Sequence, residues 1–313
     1  MRPICFFNRY HNGDVFAGKG YMQELMRQHP QLKYQHAQVN SPKTMADLPA
    51  EHRSAESLPK DMIDSYRFGD LEEAFYVNTW IGCYGNSVIP VGEEHANWPS
   101  LYTMWMIIYD AIETAYGIKI ERTADVSKYV PETNWSVYNT APALQFLGQT
   151  QRMVLLCNGL VRSTQSNLGT MGPIIDELTH NYPDIKFVCT TKFDTTDYAN
   201  KDRIFFTDDI FKGVAGGDIN EIAFLSTRAE VIVGKNSGPF MFTHIKENIF
   251  DPNKAFVSLS HRPSDSYAWN VAGLPCRYYH YSGEVDSNVA ARIRQAIDEK
   301  GSKSPGQMLV HED

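Results

Sequence analysis

Two rhythms of apolar residues alternate along this chain. Short unbroken apolar runs mark strands buried on both faces. Stretches in which apolar residues return every three or four positions mark helices. Ile4-Cys5-Phe6-Phe7 places a strand at about residues 3–8. Val15, Gly18, Met22, Leu25, Met26 and His29 then recur at helical spacing, which predicts a helix from about 14 to 29, ended by Pro30. Lys33–Val39 reads as a second strand, "AFYVNTWIG" (74–82) as a third, and 98–116 as a long apolar helix. Residues 41–70 are rich in Pro, Ser, Lys and Glu with little periodicity, and read as an insertion.

The pattern shifts at "ERTADVSKYVPETNW" (121–135), the best candidate for a linker, and the alternation then becomes regular. Strands are expected at 152–159, 185–191, 203–209, 230–234 and 255–260, and "RYYHY" (277–281) reads as another. Met171, Ile174, Ile175, Leu178 and Tyr182 form one helical face. Asp218 and Glu221 form a capping-box pattern for a helix to about Ala229. Residues 237–250 and 286–300 read as two more helices, with a loose tail after Gly301. Strands alternating with helices, twice over, imply two parallel sheets flanked by helices. The expected fold is α/β: two Rossmann-like domains facing a cleft, an N-terminal one over 1–130 with irregular insertions and a C-terminal one over 131–313. Ligands of such sheets bind beyond the carboxyl ends of the strands. That rule singles out the loops at 9–14, 158–168, 191–198 and 234–238.

Bulk composition narrows the function classes. At 313 residues the chain is long enough for two ordinary domains. A net charge of −8 argues against a protein that tracks nucleic acid by neutralising phosphates. "MRPICFFNRY" is too short and too polar for a signal peptide, and no apolar run reaches bilayer length, so a cytoplasmic location is expected. The five cysteines are far apart, with no CxxC pair, which predicts buried thiols and no disulfide framework. The histidines are scattered, no HExxH or Asp-x-Asp appears, and "GEEHANW" (92–98) is too short a run to encircle an ion, so no metal site or cofactor is expected.

Gly13-x4-Gly18-Lys19 mimics a nucleotide-triphosphate P-loop, one residue short of the full motif. The helical period already begins at Val15, however, which puts Gly18 and Lys19 inside a helix. Gly20 also stands where the motif needs a Ser or Thr for magnesium. The better reading is a tight turn at Asn12-Gly13 opening a helix. Asp14 is there either an ordinary helix cap or a carboxylate base beside His11.

This strand, Gly-Asp turn and helix resemble the opening of GT-B glycosyltransferases, nearest to the lipopolysaccharide heptosyltransferase group. In that group the Asp of the turn is the favoured base on the acceptor hydroxyl, and Asp14 occupies the matching position. "VIVGKNSGPFMF" (231–242) resembles the group's second turn, whose backbone amides hold the donor's phosphates. Two departures stand out: Asn236 replaces the usual Asp, and Met241 the common His. The resemblance implies a donor site with Asn236, Ser237 and Gly238 at the phosphates.

Physical chemistry points to the same turn, because a Ser-Gly-Pro helix start exposes N–H groups, although an ordinary capped helix shows the same residues. A second polar turn, "CNGLVRSTQSN" (157–167), brings Gly159, Arg162, Ser163 and Thr164, with Arg162 suited to a diphosphate or to a surface ion pair. Lys192, just past a strand, is a further cation for the leaving group, while Thr207, Asp208 and His261-Arg262 lie at other strand ends. The function expected is metal-independent sugar transfer from a nucleotide-diphosphate sugar to a glycan or other hydroxyl acceptor. The alternatives are a nucleotide-sugar epimerase and a non-catalytic two-domain sugar-binding protein.

Overall fold

The structure is a computed structural model that describes residues 1–60, 62, 66–85, 100–148, 152–159, 161, 171–214, 217–235, 237–260, 273, 275–281, 286–299 and 308–311. It divides into two compact units, Met1–Thr133 and Asn134–Asp313.

In the first unit the chain runs β1 (Ile4–Asn8), α1 (Asn12–Ala17), α2 (Lys19–Gln28), β2 (Tyr34–Gln38), β3 (Glu51–Ser54), β4 (Phe68–Asp70), β5 (Phe75–Asn78) and α3 (Leu101–Tyr116). The sheet order is β3-β2-β1-β5-β4, parallel except for the antiparallel pair β4–β5. All five β1 residues are buried, as an unbroken apolar run requires in a central strand. One face packs Cys5, Phe7, Ala37 and Tyr76 together. On the other, Phe6 meets Trp105 of α3 at 5.9 Å between centroids.

The single helix expected over 14–29 is two. The break falls at Gly18, where a Cβ would come within 2.6 Å of the Trp105 indole. Lys19 is fully buried, and its Nζ donates to Asp47 Oδ2 at 2.7 Å and to Thr133 Oγ1 at 3.3 Å. That placement confirms that this lysine is no phosphate ligand of a P-loop. The stretch 41–70, expected to be irregular, contributes β3 and β4 and two short 3-10 turns.

The second unit contains α4 (Ala141–Leu147), β6 (Arg152–Cys157), α5 (Gly172–Asn181), β7 (Ile185–Cys189), β8 (Ile204–Phe206), α6 (Thr207–Ile210) and α7 (Ile219–Ser226). It continues with β9 (Val231–Gly234), α8 (Gly238–Phe242), α9 (Lys246–Ile249), β10 (Ala255–Leu259), β11 (Arg277–Tyr281), α10 (Asp286–Asp298) and β12 (Met308–His311). Its seven strands are all parallel, in the order β12-β11-β10-β9-β6-β7-β8. Alternate residues of the central strands, such as Val154, Leu156, Val231, Val233 and Val257, pack against α5 and α10 in one core.

Three local expectations need correction. The tail after Gly301 is not loose throughout, because β12 pairs with β11 from Tyr278↔Met308 to Tyr281↔His311. The helix expected over 237–250 breaks into α8 and α9. There Thr243 Oγ1 donates to Phe240 O at 2.6 Å and His244 Nδ1 lies 2.9 Å from the same carbonyl, side chains competing with the helical ladder. No capping box forms at Asp218-x-x-Glu221: Asp218 makes no side-chain cap bond, and buried Glu221 accepts the Asn139 N–H at 3.2 Å. All five cysteines are buried and free.

Candidate active site

In a parallel sheet, the crevice that binds ligands opens where the strand order reverses, at the carboxyl ends. In the first unit the chain builds β1, β2 and β3 outward and then crosses to β5 on the far side of β1, so the reversal lies between β1 and β5. In the second unit it builds β6, β7 and β8, then crosses to β9, so the reversal lies between β6 and β9.

The two strands at the first reversal end alike. Asn8 Oδ1 accepts the Tyr10 N–H at 2.9 Å, and Asn78 Oδ1 accepts the Trp80 N–H at 2.9 Å. Each is an Asx turn, in which the side chain mimics the next backbone carbonyl and ends the strand. The turn after β1 leads into α1, with exposed His11 as its N-cap and its carbonyl accepting the Val15 N–H at 3.1 Å. Asp14 is therefore the third helical residue and not the cap.

The Asp14 side chain is partly buried, and burial raises its pKa from 3.8 to about 6. The His11 charge and hydrogen bonds from the backbone N–H groups of Asp14 and His11 pull in the opposite direction without offsetting it. A carboxylate held this way is ionised at pH 7 yet takes a proton far more readily than a solvated one. That is the property a general base needs.

At the second reversal, β6 ends on Asn158 and Gly159. Asn158 Nδ2 donates to Thr191 O and its Oδ1 accepts the Thr191 N–H, both at 2.9 Å, which locks the loop after β6 to the loop after β7. A Cβ on Gly159 would lie 3.2 Å from Thr191 Oγ1, so the two loops touch there. β9 runs through buried Lys235 to Ser237, the N-cap of α8, with Gly238 and Pro239 in its first turn. The Ser237 hydroxyl is buried, makes no cap bond, and has no hydrogen-bond partner among the described residues. Lys192 lies past β7 and is paired with Asp209 at 2.5 Å, with both side chains at least half exposed.

Gly159, Lys192, Ser237 and Gly238 thus stand at the carboxyl edge of one sheet, and Asp14 and His11 at that of the other. Arg162, Ser163, Asn236, Thr164 and His261-Arg262 lie outside the described residues. So does His95, together with the rest of the "GEEHANW" run. Among the described residues no group of three His, Cys, Asp or Glu is placed to hold a metal.

Sequence reasoning missed Asn158 and Thr190, whose Oγ1 is buried without a described partner, as is that of Thr207. The signal for Asn158 was present, since an Asn directly after an apolar run is a strand-ending residue. Nothing in the sequence marks Thr190, whose isolation depends on what packs above it.

No protein-family model matches the chain, and no curated protein matches it in sequence. Its fold does match solved structures. E. coli ADP-heptose lps heptosyltransferase II aligns with a TM-score of 0.54 at 11% identity, covering 95% of this chain and 99% of that one. E. coli heptosyltransferase WaaC with ADP-2-deoxy-2-fluoro heptose gives 0.53 at 10% identity, covering 96% and 99%. S. aureus MnaA with UDP gives 0.51 at 10% identity, covering 95% and 88%. No described helix is long and apolar enough to cross a membrane. Over nearly its whole length, this chain is built on the two-domain α/β fold of the GT-B glycosyltransferases.

Proposed function

We propose that the protein is a glycosyltransferase that moves a sugar from a nucleotide-diphosphate donor to an acceptor hydroxyl, with Asp14 as general base. The observation that carries this reading is the partly buried Asp14 carboxyl, raised to about 6, in the first turn of α1, which follows β1 beside the strand-order reversal. The fold adds support, since the similar structures include a heptosyltransferase with a fluorinated ADP-heptose analogue.

In the proposed reaction Asp14 takes the proton of the acceptor hydroxyl as its oxygen attacks the anomeric carbon. The bond from that carbon to the diphosphate oxygen breaks, and the nucleoside diphosphate leaves with the electron pair. His11, at the cap next to Asp14, tunes the carboxylate through its charge. The donor belongs to the second unit. The unpartnered Ser237 hydroxyl and the first N–H groups of α8 suit phosphate oxygens, and Gly159 lets a phosphate approach the backbone. Lys192 is available to the leaving group, because an exposed pair such as Lys192–Asp209 is worth only about 0–1 kcal/mol and is readily exchanged. Arg162, Ser163 and Asn236 complete the donor set read from the sequence. The reaction as proposed uses protein groups alone to offset the diphosphate charge, takes place in the cytoplasm, and involves no nucleic acid.

A melting-temperature screen against nucleoside diphosphates and nucleotide sugars, with and without magnesium, tests the donor site. One nucleotide should raise the melting temperature, and Ser237→Ala should shrink that rise while Asp14→Ala keeps it. No rise with any nucleotide sinks the reading. Acceptor-dependent release of nucleoside diphosphate then separates transfer from epimerisation and from binding without catalysis.

A further inference from the structure

The sheet of the second unit ends at β8, whose outer backbone N–H and C=O groups have no strand partner among the described residues. An unpaired edge is a template for another strand, and proteins commonly guard it with charged side chains. The first unit does so, since its edge strand β3 reads Glu51-His52-Arg53-Ser54. β8 reads Ile204-Phe205-Phe206, with no charge inside the strand.

All three β8 residues line one groove of about 400 Å³. Ile204 and Phe206 point to the α5 and α10 side of the sheet, whereas Phe205 points to the other side and meets Phe146 of α4 at 5.1 Å between centroids. A groove that touches both faces of a strand runs along its open edge. Pro142 and Phe146 of α4 and Ile210 of α6 complete the apolar wall, and Phe205 and Phe206 are only half-buried. The two ends of the strand differ in sign. Lys201, Asp202 and Arg203 precede it with a net charge of +1, and the described hydrogen bonds of Arg203 go to neutral oxygens, Thr179 O and Asn200 Oδ1. Asp208 and Asp209 follow it with −2, and Asp209 faces Lys192.

We propose that this edge pairs with β8 of a second copy of the chain, antiparallel across a two-fold axis at Phe205. Such an axis reverses the strand direction, so Phe205 faces its own copy and each Ile204 faces a Phe206. The basic end of each strand then meets the acidic end of the other. A second copy carries this apolar centre and this charge reversal by construction, whereas an unrelated peptide would have to match both. Cross-strand aromatic and aliphatic pairs are the contacts that stabilise such a ladder. Three residue pairs make a small interface, so the association is reversible and depends on concentration. This pairing is independent of the transferase reading.

The test is the mass of the full chain in solution over a concentration series, by light scattering or sedimentation. The expected result is a shift from one chain to two. Lys201→Glu and Asp208→Lys, both at exposed positions, should each weaken the dimer about ten-fold by setting like charges together, and the double variant should restore it. Phe205→Cys should oxidise to a covalent dimer, because directly opposed residues bring their Cβ atoms within reach of a disulfide. All five native cysteines are buried, so such a cross-link reports this one position. A chain that stays single at every concentration overturns the proposal. So does a dimer that ignores both charge reversals and gives no cross-link at Phe205→Cys, since another surface would then be holding it.

Discussion

Replacing Asp14 by Asn should make the protein more stable and less active at the same time. The folded protein holds the Asp14 proton up to about pH 6, whereas an unfolded chain releases it near 3.8. Between those values the folded state binds more protons, so its stability falls as pH rises through the interval, and above about 6 the whole cost is present. Moving a carboxyl that far costs about 3 kcal/mol, and the solvent that reaches this partly exposed side chain lowers the figure to about 1–3 kcal/mol. Asn removes the buried charge but keeps an oxygen for the backbone N–H groups of His11 and Asp14. Urea unfolding from pH 4 to pH 8 should therefore show equal stability near pH 4 and a growing advantage for Asp14→Asn that levels off above pH 6. Donor-dependent transfer should drop by about 10²–10⁴-fold over the same range, the usual contribution of a general base. An Asp14→Asn protein that is less stable than wild type at pH 8 would refute the reasoning. The carboxylate would then be present to hold the start of α1, and its raised pKa would be a by-product.

Other expectations follow from buried groups. Lys19→Met removes the ammonium from a fully buried ion pair and should cost about 3–5 kcal/mol in urea unfolding; the double variant Lys19→Met/Asp47→Leu should recover most of it. His36 is fully buried with both ring nitrogens lacking described partners, and burial, reinforced by His52, lowers its pKa to about 3. An unfolded chain protonates this histidine below about 6.5 and the folded one does not, so stability should drain away as pH falls from about 6.5 to 3. His36→Gln should flatten that acid limb when melting temperature is followed against pH. Gly20→Ala drives a methyl into the Tyr129 carbonyl oxygen and should cost more than 2 kcal/mol. Gly117→Ala, at φ 64° with open space around it, should lose only about 1 kcal/mol.

The periodicity of the chain by itself determined the alternation of strands and helices. The central strands β1, β5, β6, β9 and β10 could be read from it because each is a mainly apolar run that two-sided burial explains. The Ser-Gly-Pro helix start after β9 was legible for a related reason, since such residues act through local backbone geometry, whereas the tight turn expected at Asn12-Gly13 is not formed: both residues already lie in α1, which His11 caps. What depended on distant partners was not legible. Gly18 breaks a helix because Trp105, far along the chain, packs there, and Glu221 faces inward to the Asn139 N–H instead of capping its own helix. Lys19 found Asp47 instead of a phosphate. β12 exists only because β11 offers it an edge. Asp14 was visible as a candidate from its position, but its raised pKa comes from the exclusion of water, which no local pattern encodes and only the packed structure supplies.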